Sequence, residues 1–153
     1  MTAHAERLME FLASEGYRPT LRPDGGIAFK HDAGHYLIRF DPRDDQYYAI
    51  AYPDFWRVAA AEELTRALRA ANRATIGIKA VKLIVFEEER QVWATVEAFA
   101  SGPAEVEAMF PHFLGVLQAG AARFAEEMRA SEPLESGRID LARGEVARFQ
   151  HGN

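Results

Sequence analysis

The residues able to do chemistry are few and poorly grouped. His31, Asp32 and His35 flank a predicted hairpin, and two imidazoles with a carboxylate are the right types to hold zinc. They lack a fourth convergent ligand, so they read as turn residues and no metal is expected. Asp41, Asp44 and Asp45 are acidic enough for Ca²⁺, but they do not form an alternating Asp/Asn loop closed by Glu. Asp is common in turns because its side chain bonds backbone two residues on. The chain has no Cys, which excludes a disulfide framework, a thiolate zinc site and a Cys nucleophile. There is no phosphate-cradling Gly motif, nucleophile elbow or His-Glu-x-x-His. His4, His112 and His151 stand alone. The residues thus point to no catalytic site and no cofactor, and the chain reads as a non-enzyme.

Charge and aromatic residues offer binding rather than catalysis. Arg66, Arg69 and Arg73 form a basic stripe on a predicted helix, and such a stripe can contact phosphates. Glu62 shares that face, however, and the 153-residue chain carries 18 Lys and Arg against 23 Asp and Glu, a net −5. A solvated face or a contact for an acidic protein fits better, and no tight nucleic-acid binding is expected. Residues 1–80 hold 11 basic and 11 acidic groups, so residues 81–153 carry the whole net charge. The acidic groups gather at Glu87–Glu88–Glu89, Glu126–Glu127, Glu132 and Glu135. They are solvated turns and helix ends, or a surface that selects basic partners. Phe55 and Trp56 sit in a predicted loop, as a plug under a sheet or as a ligand platform. No apolar run approaches the ~18 residues that cross a membrane. The polar N-terminus does not read as a secretory signal.

These residues must be positioned by an α+β arrangement. Ala5, Leu8, Met9 and Leu12 give one apolar face to a helix from about Ala3 to Glu15, with Thr2 as N-cap and Gly16 as stop. A marginal strand follows at Tyr17–Leu21, confined to an edge by Pro19. Strands at Ile27–His31, His35–Phe40 and Gln46–Tyr52 are joined by links too short for crossovers, hence an antiparallel meander. Pro53–Arg57 reads as a loop. A second helix spans Val58 to Ala74, with Ala60, Leu64, Ala67, Leu68 and Ala71 on one side. Two strands, Ile78–Glu87 and Arg90–Ala100, meet in a tight hairpin at Glu88–Glu89. Ser101 caps a last helix whose Val106, Met109, Phe110, Phe113, Leu117, Phe124 and Met128 keep one phase across Pro111. That continuity predicts one kinked helix rather than two. A single domain over 1–130 is followed by a polar tail, 131–153. In the tail Ile139, Ala142, Val146 and Phe149 make a weak helical face broken by Gly144.

The last hairpin is the most informative segment. Pairing Val85 with Val92 and Ile84 with Trp93 puts Val81, Leu83, Val85, Val92, Ala94 and Val96 on a small apolar face. The opposite face then carries Ile84, Phe86, Trp93 and Phe99. Aromatics contribute roughly 150–250 Å² each, so these four exceed what a soluble monomer usually leaves in one exposed patch. They are the candidate partner or dimer interface. The last helix, the tail, a second subunit or a partner would cover them.

The order helix, meander, helix, long hairpin, long helix resembles the YbjN family, whose fold is similar to type III secretion chaperones. The residues carrying the resemblance are Leu64, Leu68 and Ala71–Asn72–Arg73; Val81–Lys82–Leu83–Ile84–Val85–Phe86; Trp93–Ala94–Thr95–Val96–Glu97; and Met109–Phe110, Phe113–Leu114, Leu117 and Phe124. It covers about Glu6 to Met128. Pro111, the Tyr17–Leu21 strand and the tail after Ser131 depart from it. The resemblance implies an antiparallel sheet of five or six strands with packed helices, in a small cytoplasmic protein, often a homodimer, without known enzymatic chemistry. Proteins of this fold hold segments of other proteins, and YbjN relatives are associated with stress responses and regulation. The reading is a protein-binding module that holds an apolar segment of a partner. Phe55, Trp56, Arg66, Arg69 and Arg73 are secondary binding candidates. The alternative is a small-molecule sensor with a pocket between sheet and helices, lined by Phe55, Trp56, Phe113 and Leu117.

Overall fold

The computed structural model describes residues 2–133. The tail face at Ile139, Ala142, Val146 and Phe149 lies outside the described residues. Helix α1 (Ala3–Ser14) is followed by β1 (Thr20–Leu21), β2 (Ile27–His31), β3 (Gly34–Asp41) and β4 (Asp44–Arg57). Then come α2 (Ala61–Gly77), β5 (Lys82–Phe86), β6 (Gln91–Phe99) and α3 (Pro103–Ala130). The six strands form one sheet in the order β1-β2-β3-β4-β6-β5, antiparallel throughout. Helix α3 runs over β4, β5 and β6, and both α1 and α2 pack against it. The core lies between that helical layer and one sheet face. Leu8, Leu12, Ile27, Ile38, Ile50, Val92, Leu117, Phe124 and Met128 are fully buried there.

Local chemistry sets the element ends. The Thr2 hydroxyl accepts from the Ala5 N–H at 3.2 Å, capping α1, and Gly16 takes the positive φ, +90°, that lets the chain leave the helix. Gly102, not Ser101, is the N-cap of α3. Ser101 instead donates its N–H (2.8 Å) and its hydroxyl (3.0 Å) to the Glu105 carboxylate. Helix α3 is continuous through Pro111, which is exposed, while Val106, Phe110, Phe113, Leu114, Leu117, Phe124 and Met128 are buried on the other side. Met109 falls outside that face and is exposed. At Gly120 a Cβ would sit 3.1 Å from both Val81 methyls, so the missing side chain lets α3 close onto the start of β5.

Several boundaries differ from the sequence expectation. The β1 strand is only two residues long. Strand β4 does not stop at Tyr52 but runs on through Phe55 and Trp56 to Arg57. Pro53 does not end it because the β3 ladder has already finished at Leu37 opposite Ala51. On the β6 side the register shifts between Tyr52 and Trp56, with Asp54 at φ +45°, so the Pro sits in a bulge. Helix α2 starts three residues later than expected, because the Val58 N–H donates to the Arg90 carbonyl at 2.8 Å. Its buried face is Ala67, Ala70, Ala71 and Ala74, and Leu68 is 41% exposed. The alanines win because a stripe of small side chains permits close approach to α3 and β5. Strand β5 begins at Lys82, since Ala80 turns at φ +65°. The hairpin pairing matches expectation, Val85 with Val92 and Ile84 with Trp93. Its loop is Glu87–Arg90, four residues, with Arg90 at φ +53°, rather than a tight two-residue turn.

Candidate functional site: the helix-free face of the sheet

Because side chains alternate along a strand, the pairings fix what the face opposite the helices carries. One row crosses the whole sheet: Thr20, Ala28, Leu37, Ala51, Thr95 and Lys82. On one side of it lie Lys30 paired with His35, and Trp93 paired with Ile84; Phe86 follows, opposite Gln91. On the other side lie Arg39, Ala49 and Glu97, then Tyr47 paired with Phe99. Ala49, Ala51 and Thr95 are 2%, 1% and 5% exposed although no helix among the described residues covers them. Their larger neighbours shelter them.

The face is concave. One cleft of about 790 Å³ is lined by Arg18, Thr20, Lys30, His35, Leu37, Pro53 and Trp93, among others. A second, about 480 Å³, brings Asp24 and Arg39 together with Phe86, Glu89 and Gln91 of the last hairpin. Arg22, Leu37 and Trp93 line both. Residues from opposite margins of the sheet share one cleft because a twisted sheet curls its diagonal corners toward each other. Trp93 is held in place: its indole N–H donates to Gln91 Oε1 at 2.8 Å, and the Phe86 ring meets it edge-on at 5.1 Å.

The four predicted interface residues therefore divide. Ile84, Phe86 and Trp93 are together and half-buried. Phe99 is 71% exposed at a far corner, against Tyr47 at 5.9 Å. The Lys82–Glu97 ion pair lies on the same face. Burial and the nearby Glu97 carboxylate push the Tyr47 phenol up.

The secondary candidates are placed elsewhere. Phe55 and Trp56 face the helices, each meets Phe124 at 5.5 Å, and both are half-buried against the core at the end of a strand, not on a loop platform. Phe113 packs on Tyr48 at 5.9 Å, and Leu117 is fully buried. The space predicted for a sensor pocket is thus occupied by packed side chains. The Trp56 indole N–H finds no partner among the described residues. The arginine stripe is split by function. The Arg66 guanidinium donates to the Met128 carbonyl at 2.8 Å, and Arg73 pairs with Glu127 at 3.3 Å. Both dock α2 onto the end of α3, where free carbonyls favour cations. Arg69 is exposed. His31 and His35 lie on opposite faces of the sheet. His31 is on the helical side between the Tyr17 and Tyr36 rings, 3.5 Å from Asp32, and His35 is beside Lys30. Among the described residues no three His, Asp or Glu converge on a metal site.

Sequence reasoning missed the cations of β1–β3. Arg18, Arg22, Lys30 and Arg39 are all exposed, and Arg18, Arg22 and Lys30 line the larger cleft. The signal was present: Lys30 and Arg39 are out of phase with the buried Ile27, Phe29, Tyr36 and Ile38. Arg22 pairs with Asp24, whose carboxyl is held below its ordinary value chiefly by the Gly26 N–H.

No family model and no curated protein matches this chain. Solved structures do resemble it. One is a chain of the HopA1-SchA chaperone-effector complex, with a TM-score of 0.56 at 9% identity, over 80% of this chain and 94% of that one. Another is an uncharacterized protein from Methanothermobacter thermautotrophicus, with a TM-score of 0.57 at 13% identity, over 84% and 99%. Identities this low establish shared architecture. The protein has the α+β fold found in that chaperone-effector complex, a six-stranded antiparallel sheet with its helices on one face.

Proposed function

We propose that the protein is a non-enzymatic, cytoplasmic, chaperone-like module of YbjN type that holds an apolar segment of a partner protein on the helix-free face. The observation that carries this reading is the pair of adjoining clefts that share Leu37 and Trp93, the smaller also lined by Phe86, on a sheet face that no helix covers among the described residues. The fold shared with a chain of a chaperone-effector complex supports it. Each large apolar side chain that a partner buries there contributes about 1.5–3 kcal/mol, so a few anchors suffice for a stable complex.

Both sheet edges are obstructed, which favours docking on the face over strand addition. On β5 the Leu83 N–H already donates to the Thr75 hydroxyl of α2 at 3.0 Å. On the other side β1 is two residues long and bracketed by Pro19 and Pro23, features that blunt an edge. Phe99, remote from the clefts, is the contact we assign to a homodimer.

Wild type, Trp93→Glu and Phe99→Glu, each checked for an unchanged melting curve, separate these roles. Bait immobilised in lysate of the source cell should retain a protein set that Trp93→Glu loses and Phe99→Glu keeps. Sedimentation should show a dimer for wild type and Trp93→Glu, and a monomer for Phe99→Glu. Identical retained sets for wild type and Trp93→Glu would overturn the docking assignment. A wild-type monomer would overturn the dimer.

A further inference from the structure

The charge on the helix-free face contradicts the charge of the chain. The protein is net −5, yet among the described residues the 790 Å³ cleft is lined by Arg18, Arg22, Lys30 and His35 and by no carboxylate. Arg39 adds a fifth basic side chain on the same face, in the adjoining cleft that also holds Asp24 and Glu89. Among the described residues Arg22 has an ion-pair partner, Asp24, while Arg18, Lys30 and Arg39 have none. Field lines concentrate in such a cleft, so its potential is set by these groups and not by the distant acidic helix ends.

The cations are also spaced. Along β3 the outward side chains read His35, Leu37, Arg39, and along β1 and its flanks they read Arg18, Thr20, Arg22. The β1 row is cation, neutral, cation at every second residue, and the β3 row is imidazole, neutral, cation. The two ends of each row are four residues apart, about 13 Å at 3.3 Å per residue. The neutral middle borders Leu37 and Trp93, the apolar part of the cleft.

We infer that this face selects an extended acidic segment of another protein, with the pattern carboxylate-x-apolar-x-carboxylate. A peptide lying along the strands presents residues 0, +2 and +4 on one side, which matches the two rows and puts its apolar residue against Leu37 and Trp93. The inference rests on the docking reading above and adds the partner's chemistry.

The test uses end-capped, fluorescein-labelled Ser-Glu-Ser-Leu-Ser-Glu-Ser and the full protein, read by anisotropy, with the combined emission of Trp56 and Trp93 as a second signal. The Leu→Ser peptide, a Glu→Lys peptide and an oligothymidine serve as comparisons. Saturable binding should weaken by about tenfold or more between low and high salt, as screening of several charge pairs requires. Lys30→Glu/Arg39→Glu should abolish it, and the Glu→Lys peptide should not bind. Loss on Trp93→Glu without loss on charge reversal would overturn the acidic selection and leave the docking face standing. Indifference to both substitutions would overturn both. Tighter binding of oligothymidine than of the peptide would assign the face to nucleic acid and overturn the inference.

Discussion

At the scale of single residues, Glu105 shows how a side chain outside any candidate site sets local stability. Its carboxylate accepts from the Ser101 N–H and hydroxyl, and these bonds hold its pKa below the ordinary value. It also stands in the first turn of α3, where the helix dipole favours negative charge. A carboxyl lowered in the folded state stabilises at pH above its unfolded pKa, and that contribution disappears as pH falls through the folded value. Glu105→Gln should therefore melt a few degrees below wild type at neutral pH, with the gap closing in acid. Melting curves across a pH series measure this, and a gap independent of pH would refute it. Sequence inspection did place a helix start here. It put the cap on Ser101, because the hydroxyl's use by a side chain four residues on is invisible without the turn.

Elements were legible where one pattern admitted one solution. The β5–β6 register followed from sequence because slipping by one residue would turn Leu83 and Val92 outward. The unbroken α3 followed because its apolar phase persists across Pro111. Strand β4 was not legible past Tyr52, since a Pro counts as a terminator unless its ladder neighbours are known. The arginines of α2 were likewise illegible as individuals. Equal spacing made Arg66, Arg69 and Arg73 one stripe, and only the position of the α3 end separates them. Arg66→Ala should cost about 1–2 kcal/mol, the loss of a charge-assisted hydrogen bond to the Met128 carbonyl. Arg69→Ala should stay within about 0.5 kcal/mol, as exposed substitutions do. Chemical denaturation resolves the difference, and equal effects would refute the docking role of Arg66.

At the scale of the molecule, the topology does what composition could not foretell. Strand β4 lies beside β6, not β5, which joins the meander to the hairpin. No local signal specifies that choice. It puts Trp93 one strand from the β4 floor and lets it share clefts with Arg22 and Leu37. Counting charges by halves of the chain located the −5 but not the basic face, because Arg18, Arg22, Lys30 and Arg39 come together only when β1, β2 and β3 align. The fold thus separates duties: helices on one face close the core, and the other face is left to the partner chemistry proposed above.

The Thr75–Leu83 hydrogen bond carries a consequence for native-state dynamics. An edge amide bonded to a helix side chain is protected from deuterium exchange only while that helix is docked, whereas amides inside the β5–β6 ladder answer to the sheet. Leu83 is therefore a built-in reporter of α2 undocking. Thr75→Val, which keeps the shape and removes the acceptor, should speed Leu83 exchange about fivefold, matching ~1 kcal/mol for one lost bond. The ladder amides should hold their rates. If Leu83 exchange is unchanged by NMR, the latch is not real. If it accelerates, the lifetime of α2 on the sheet sets how often a bare strand edge meets another molecule, and so how concentrated the protein can be kept before it aggregates.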